Sequence, residues 1–164
     1  MISEKHGDLL ESGCDIIAHQ MNLQGIMGGG IALQIAKKFP MVECKCLVYI
    51  IMFLSHTNKM DISLGGRVFF SREKDKDKEI VIANCFSQNE DFSTNYKWLK
   101  TCVSKLIKFA KEHDKKTIGI PYGYGCGIAK GKWEEVYKIF YKAFHFREDI
   151  ELQIWKLDKG EKND

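Results

Sequence analysis

Proline is nearly absent from this chain of 164 residues: there are two, Pro40 and Pro121, and each stands between stretches of different pattern. That excludes a proline-rich linker or a polyproline ligand segment. Long apolar runs are missing too. The longest, Leu47 to Leu54 (LVYIIMFL), is far too short to span a bilayer, and the N-terminus lacks the apolar stretch of an export signal. A cytoplasmic protein with no membrane partner is therefore expected. The six cysteines, at 14, 44, 46, 85, 102 and 126, form no CxxC pair and have no histidines at zinc-site spacing. They read as reduced thiols, most of them small buried hydrophobes, and no metal or cofactor is expected. Charge of one sign is also scarce. The formal net charge is +3 and the lysines are spread along the chain, so charge alone does not argue for nucleic-acid binding. No internal repeat interrupts the pattern.

What is present fits one globular domain. Apolar residues make up 45% and charged residues 29%, near the averages for such domains, and the length suffices for a proper core. The single domain is expected over residues 1–158, with a frayed tail at 159–164. Strand patterns fall at Met1–His6, Asp15–Gln20, Arg67–Phe70, Ile80–Cys85, Thr117–Ile120 and Glu151–Leu157. Helical patterns fall at Gly30–Phe39, Tyr96–His113 and Lys132–Phe144. The second is the clearest: Leu99, Cys102, Val103, Leu106, Ile107 and Ala110 share one face, after Ser93, Thr94 and Asn95 as cap residues. The charged run Ser71–Glu79 predicts a solvated hairpin-like turn. Val42–His56 is ambiguous on its residues, since a β-branched, aromatic run also reads as a strand.

The most informative segment is His19 to Pro40, HQMNLQGIMGGGIALQIAKKFP. It follows a buried strand pattern, carries glycines at 25, 28, 29 and 30, and runs directly into a helix. A strand, a glycine-rich turn and a helix N-terminus can aim backbone N–H groups at a phosphate. A turn of this kind can equally be plain structure. It matches neither the dinucleotide fingerprint nor the phosphate loop of nucleotide hydrolases. A second loop of the same kind, Ile120 to Trp133 (IPYGYGCGIAKGKW), changes the balance. Parallel strands bring such loops to one sheet edge, where open α/β sheets bind ligands. Two facing loops could hold a diphosphate.

HGDLL (6–10), DIIAHQMN (15–22), MGGGIALQIAKKFP (27–40), PYGYGCGIAKGKW (121–133) and ELQIWKL (151–157), in this order, resemble the macrodomains. The resemblance is greatest to the branch holding the yeast ADP-ribose-1″-phosphate phosphatase, the terminal ADP-ribose protein glycohydrolase, and phage and bacterial macrodomains. It implies an α/β fold, a three-layer α/β/α sandwich around a central mixed sheet, with a helix at Val42–His56. It also implies a ligand of the ADP-ribose class, free or carried on a macromolecule, and a monomer. Asp8, with Leu9, would meet the adenine, or Asp8 would simply cap a turn. Gly28, Gly29, Gly30 and Ile31 would form one wall of the diphosphate site, and Tyr124, Gly125, Cys126, Gly127 and Ile128 the other. Asn22 would contact the distal ribose, or hold an Asx-type turn. His19 would lie near a reacting phosphate as acid, base or clamp, or be structural. Trp155 would stand beside the adenine, or belong to the core. The block Asn84–Gln88 would line the distal pocket, or only connect elements.

Two features depart from the glycohydrolase pattern. The stretch Asn84–Asn95 has no lysine, and Ala129 stands where an aspartate is expected. The activity implied first is removal of phosphate from ADP-ribose-1″-phosphate, with His19 and Asn22 as catalytic residues. The alternatives are a binder of ADP-ribose or an NAD-derived metabolite, and an ADP-ribosyl hydrolase, which these two departures disfavour.

Overall fold

The computed structural model describes residues 1–56 and 63–158; the expected tail at 159–164 lies outside them. Six strands, β1 (Ile2–His6), β2 (Ile16–Met21), β3 (Val68–Asp75), β4 (Lys78–Phe86), β5 (Thr117–Pro121) and β6 (Glu151–Lys156), form one sheet in the order β1-β6-β5-β2-β4-β3. All neighbours are parallel except β3, which pairs antiparallel with β4 at one edge. Four helices flank the sheet: α1 (Gly30–Lys38), α2 (Met41–His56), α3 (Tyr96–Glu112) and α4 (Trp133–Phe144). A single 3₁₀ turn spans Leu9–Glu11.

Two cores separate the layers. One packs α3 and α4 on the sheet through Leu99, Val103, Leu106, Val136, Phe140 and Phe144, which meet Ile16, Ala18, Val81 and Ile118. The other packs α1 and α2 on the opposite face, where Ile35, Val42, Cys46 and Ile50 meet Ile17, Met21, Ile82 and Phe86. The result is the three-layer α/β/α sandwich. The central strand β2 is buried on both faces, so it reads as a continuous apolar run and not as an alternation.

The sequence pattern locates α3 to within a residue, and its six apolar positions are the six buried ones. The N-cap is Asn95, whose side chain accepts from the Trp98 amide. The charged run at 71–79 differs from expectation. Its residues continue β3 to Asp75 and resume as β4 at Lys78, leaving only Lys76 and Asp77 in the turn. Both have positive φ, 48° and 67°, as a two-residue turn matching the strand twist requires. Charged residues suit these strand ends because β3 is an edge strand with its outer side in water.

The α2 segment is a helix. Its pattern was ambiguous because Val42, Cys46 and Ile50 are buried while Leu47, Val48, Ile51, Met52 and Leu54 face outward, exposed. With apolar residues on both sides the helical period fades. Among the described residues no single helix is long and apolar enough to cross a membrane.

Candidate functional site

Because five strands run parallel, their carboxyl ends share one edge. The segments after β1, β2, β4 and β5 therefore gather there, and those after β2, β4 and β5 enclose a cleft of about 610 Å³. A smaller cavity of about 150 Å³ adjoins it, with Ile31, Pro121 and Tyr122 lining both.

The first wall is the loop from β2 to α1. Asn22 organises it: its Oδ1 accepts from the Gln24 and Ile26 amides at 3.1 Å each, and its Nδ2 donates to the Ile26 carbonyl at 2.8 Å. The Asx-type turn is thus present, and Asn22 also lines the cleft. The Met27 amide donates to Glu43 Oε2 on α2 at 2.7 Å, pinning the loop from behind. Gly29 is the N-cap of α1 and supplies no side-chain cap. Among the described residues the amides of Gly28, Gly29, Gly30, Ile31 and Ala32 have no protein acceptor, and all five residues line the cleft. A row of free donors at the positive end of a helix is an anion site.

The second wall is the loop from β5 to α4. Gly125 has a φ of +69°, and a β-carbon there would stand 3.0 Å from Gln20 Nε2 and Thr94 Oγ1, so only glycine fits without strain. The loop is tied down by its own backbone, Cys126 amide to Gly123 carbonyl at 2.8 Å and Gly131 amide to Gly125 carbonyl at 2.9 Å. Thr94 at the start of α3 clamps it from the side, its hydroxyl donating to the Gly125 carbonyl at 2.7 Å. Among the described residues the amides of Gly125, Gly127 and Ile128 donate to no protein group. Tyr124 lines the cleft, though its ring is buried against Phe140 in the core. Ile128 projects into solvent, 77% exposed.

Cys126, expected in this wall, is not among the residues lining the cleft. Its side chain is half-buried, its thiol donates to the Tyr124 carbonyl at 3.3 Å, and burial pushes the thiol's pKa up. That is the opposite of what a nucleophile needs.

The small cavity holds Asp8, Leu9 and Trp155. Asp8 Oδ1 accepts from the Leu10 amide at 2.9 Å and caps the 3₁₀ turn. It also lines the cavity, so the capping and ligand-facing readings of this residue coexist. Trp155 lies against Gly7, and its Nε1 donates to Gln153 Oε1 at 3.0 Å. Lys156 Nζ stands 4.8 Å from the centre of the Tyr122 ring, a cation–π contact that holds the rim.

His19 is placed differently from the expectation. Its side chain is fully buried in the layer between sheet and α1/α2, where Nε2 and Asn84 Oδ1 are 2.6 Å apart. Burial lowers its pKa from 6.5 to about 4, against a smaller opposing effect of Asn84. The imidazole is therefore a neutral core group, not an acid or base facing ligand. The reason is strand alternation: His19 points to the same face as Ile17 and Met21, and the next residue, Gln20, reaches the cleft.

Gln20 is one of the lining residues that the sequence did not reveal; Ile26, Phe92 and Tyr122 are others. Gln20 Nε2 donates to the Ser87 carbonyl at 3.3 Å, to Ser87 Oγ at 3.1 Å and to Thr94 Oγ1 at 3.3 Å. Gln88, within the block Asn84–Gln88, lines the cleft and donates from Nε2 to Gln20 Oε1 at 3.0 Å. Asn84 in the same block is buried behind it. Among the described residues no Asp, Glu, His, Lys or Arg lines the large cleft, and no cluster of His, Cys, Asp or Glu could hold a metal ion. Negative charge placed there would meet backbone and amide donors and, among the described residues, no charged side chain.

These loops have counterparts elsewhere. The sequence pattern of the Macro domain family matches residues 18–140. Two curated relatives, the DNA ADP-ribosyl glycohydrolases of Mycobacterium tuberculosis and Mycobacterium bovis, are 23% identical over 172 residues, covering 98% of this chain and 43% of theirs. The chain thus spans less than half the length of those relatives. Among solved structures, the macrodomain of Mycobacterium tuberculosis DarG aligns with a TM-score of 0.79 at 22% identity, over 94% of this chain and 97% of that one. Thermosipho africanus DarTG in complex with ADP-ribose aligns at 0.76 with 16% identity, over 98% of this chain and 43% of that one. A macrodomain protein from Streptomyces coelicolor aligns at 0.74 with 23% identity, over 98% of this chain and all (100%) of that one. With most of its length matched by the family pattern and its fold shared with these structures, the chain belongs to the Macro domain family.

Proposed function

We propose that the chain binds ADP-ribose, with the adenine in the small cavity beside Asp8 and Trp155, the diphosphate between the two glycine loops, and the terminal ribose beyond them near Asn22 and Gln88. The observation that carries this reading is the pair of loops whose unpartnered amides line one cleft that no charged side chain among the described residues enters. Such a cleft suits a ligand with central negative charge and neutral ends. The ADP-ribose complex of the structurally similar DarTG supports it. An ADP-ribosyl group carried on a macromolecule offers the same nucleotide. Calorimetric titration with ADP-ribose, AMP and ribose-5-phosphate tests it. Tight binding of ADP-ribose with much weaker binding of the fragments is expected; no binding of ADP-ribose would overturn the reading.

Hydrolysis of ADP-ribose-1″-phosphate is the second reading. The row of backbone donors favours it, since such donors stabilise charge on phosphoryl oxygens without a side chain. With His19 buried, no carboxylate, histidine or lysine among the described residues lines the cleft, and attack would fall to water held by the amides and amide side chains. Glycohydrolysis through a lysine is weaker still, because Ala129 and the lysine-free stretch Asn84–Asn95 leave its two groups unfilled. Phosphate release from ADP-ribose-1″-phosphate separates binder from phosphatase.

A further inference from the structure

The hydrogen bonds around Gln20 fix the orientation of a second amide, Gln88, and with it the chemistry of one end of the cleft. The Thr94 hydroxyl has one hydrogen, and it is given to the Gly125 carbonyl at 2.7 Å. Thr94 Oγ1 therefore accepts from Gln20, so the Gln20 atom beside it, at 3.3 Å, has to be nitrogen. The Ser87 carbonyl, 3.3 Å from the same atom, is a pure acceptor and independently requires nitrogen there. Gln20 Oε1 is thus turned to Gln88, whose nitrogen donates to it at 3.0 Å. Two Gln side chains that packing alone would leave open to a flip are set by backbone carbonyls at the far end of the chain of bonds. Gln88 lines the cleft. Its nitrogen is held on the Gln20 side, and its oxygen has no protein partner among the described residues.

We infer that this end of the cleft, at Gln88, takes a hydrogen-bond donor on the ligand's terminal sugar, so that the chain selects ADP-ribose with a free 1″-hydroxyl and discriminates against ADP-ribose-1″-phosphate. The inference rests on the ADP-ribose reading of the cleft, and it chooses between ligands of that class. A hydroxyl at C1″ can donate to the Gln88 oxygen. A phosphate ester removes that donor and, near neutral pH, offers mainly accepting oxygens, which would face the amide oxygen with nothing shared between them. Among the described residues no cationic side chain lines the cleft to offset the added charge. Gln88 acts as a specificity residue, and Thr94, which reaches the ligand only through Gln20 and Gln88, is a positioning residue.

The test is the ratio of the two dissociation constants, measured by calorimetry with ADP-ribose and with ADP-ribose-1″-phosphate while free phosphate is assayed in the same samples. Wild type should favour ADP-ribose roughly ten- to a hundredfold, the worth of one hydrogen bond made against one frustrated. Thr94→Ser keeps the hydroxyl and should keep the ratio. Thr94→Val removes one of the two acceptors that orient Gln20 while the Ser87 carbonyl still holds its nitrogen, so the ratio should shrink part of the way, even where both affinities fall. Gln88→Leu removes the acceptor without touching the Gly125 clamp and should bring the ratio close to one, which guards against a folding defect in the valine variant. Equal or tighter binding of the 1″-phosphate by wild type, rapid phosphate release, or an unchanged ratio in Gln88→Leu overturns the inference, and an unchanged ratio in Thr94→Val alone overturns the positioning role of Thr94. Failure of ADP-ribose itself to bind removes the underlying reading as well, whereas equal binding of the two nucleotides removes only the preference.

Discussion

Gly29 and Ile128 face each other across the mouth of the cleft: a β-carbon on Gly29 would stand 3.3 Å from Ile128 Cδ1. One residue belongs to the free row of amides leading into α1, and the other ends the row in the loop after β5. The gap between the two loops is therefore set by the absence of a side chain at position 29. Gly29 itself is extended, with φ −159° and ψ 165°, so other residues can adopt its backbone. Replacing it changes the cleft more than the fold.

Gly29→Val should leave the thermal midpoint within a few degrees of wild type and weaken ADP-ribose binding about tenfold or more, since the branched side chain fills the approach to the amides. Calorimetry and a melting curve on the same sample check both halves. Undiminished affinity in the folded variant would place the ligand elsewhere.

Asn22→Ala removes three hydrogen bonds that shape the loop before α1. The loop amides then lose their fixed direction, and affinity for ADP-ribose should fall by roughly ten- to a hundredfold, about 1.4–2.8 kcal/mol. Asn22→Asp keeps the two accepted bonds and loses the donated one, so it should lie between. If the alanine variant binds like wild type, the turn does not need its side chain.

The fully buried His19 contributes to stability through pH and not through turnover. Its folded pKa, about 4, lies below the ordinary 6.5. Between these values the unfolded chain binds the proton and the folded chain does not. Stability is therefore complete above about pH 6.5 and declines as pH falls toward 4, by on the order of 3 kcal/mol in total. Urea denaturation at pH 7 and pH 5, compared with His19→Gln, isolates this share; the variant should lose less between the two pH values. His19→Ala should cost about 2–4 kcal/mol at pH 7, from the cavity and the orphaned Asn84 oxygen.

Incubation with ADP-ribosylated DNA or with glutamate-linked ADP-ribose should give no covalent lysyl adduct. An amine nucleophile would have to reach the sugar from the cleft wall, and no lysine among the described residues lines it. Mass spectrometry of the intact protein decides the point. A stable adduct on any lysine would move the chain to the glycohydrolase chemistry of the relatives.

Much of this molecule can be read directly from the chain. The α3 face is legible because six apolar residues repeat at helical spacing, and a helix needs only local contacts to declare its period. The two glycine loops are legible because backbone approach and tight turning admit few other residues. The α2 helix is hidden by its own composition, since its outward face is nearly as apolar as its buried one. The strands on either side of Lys76–Asp77 are hidden by charge that an edge strand tolerates.

The sequence by itself determined the strand–loop–helix punctuation, the glycines at 28–30 and at 125 and 127, and hence a cleft made of backbone. Tertiary structure alone decided which side chains enter it. On β2 the step from His19 to Gln20 exchanges the core of one layer for the cleft, and that choice depends on how β2 sits between β5 and β4. Likewise Thr94, Gln20 and Gln88 are 68 or 74 positions apart where they bridge the β2 segment to the loop after β4. Nothing local links Gln20 to the other two, which a short antiparallel bridge pairs with each other. Their order exists only once five parallel strands bring their carboxyl ends to one edge.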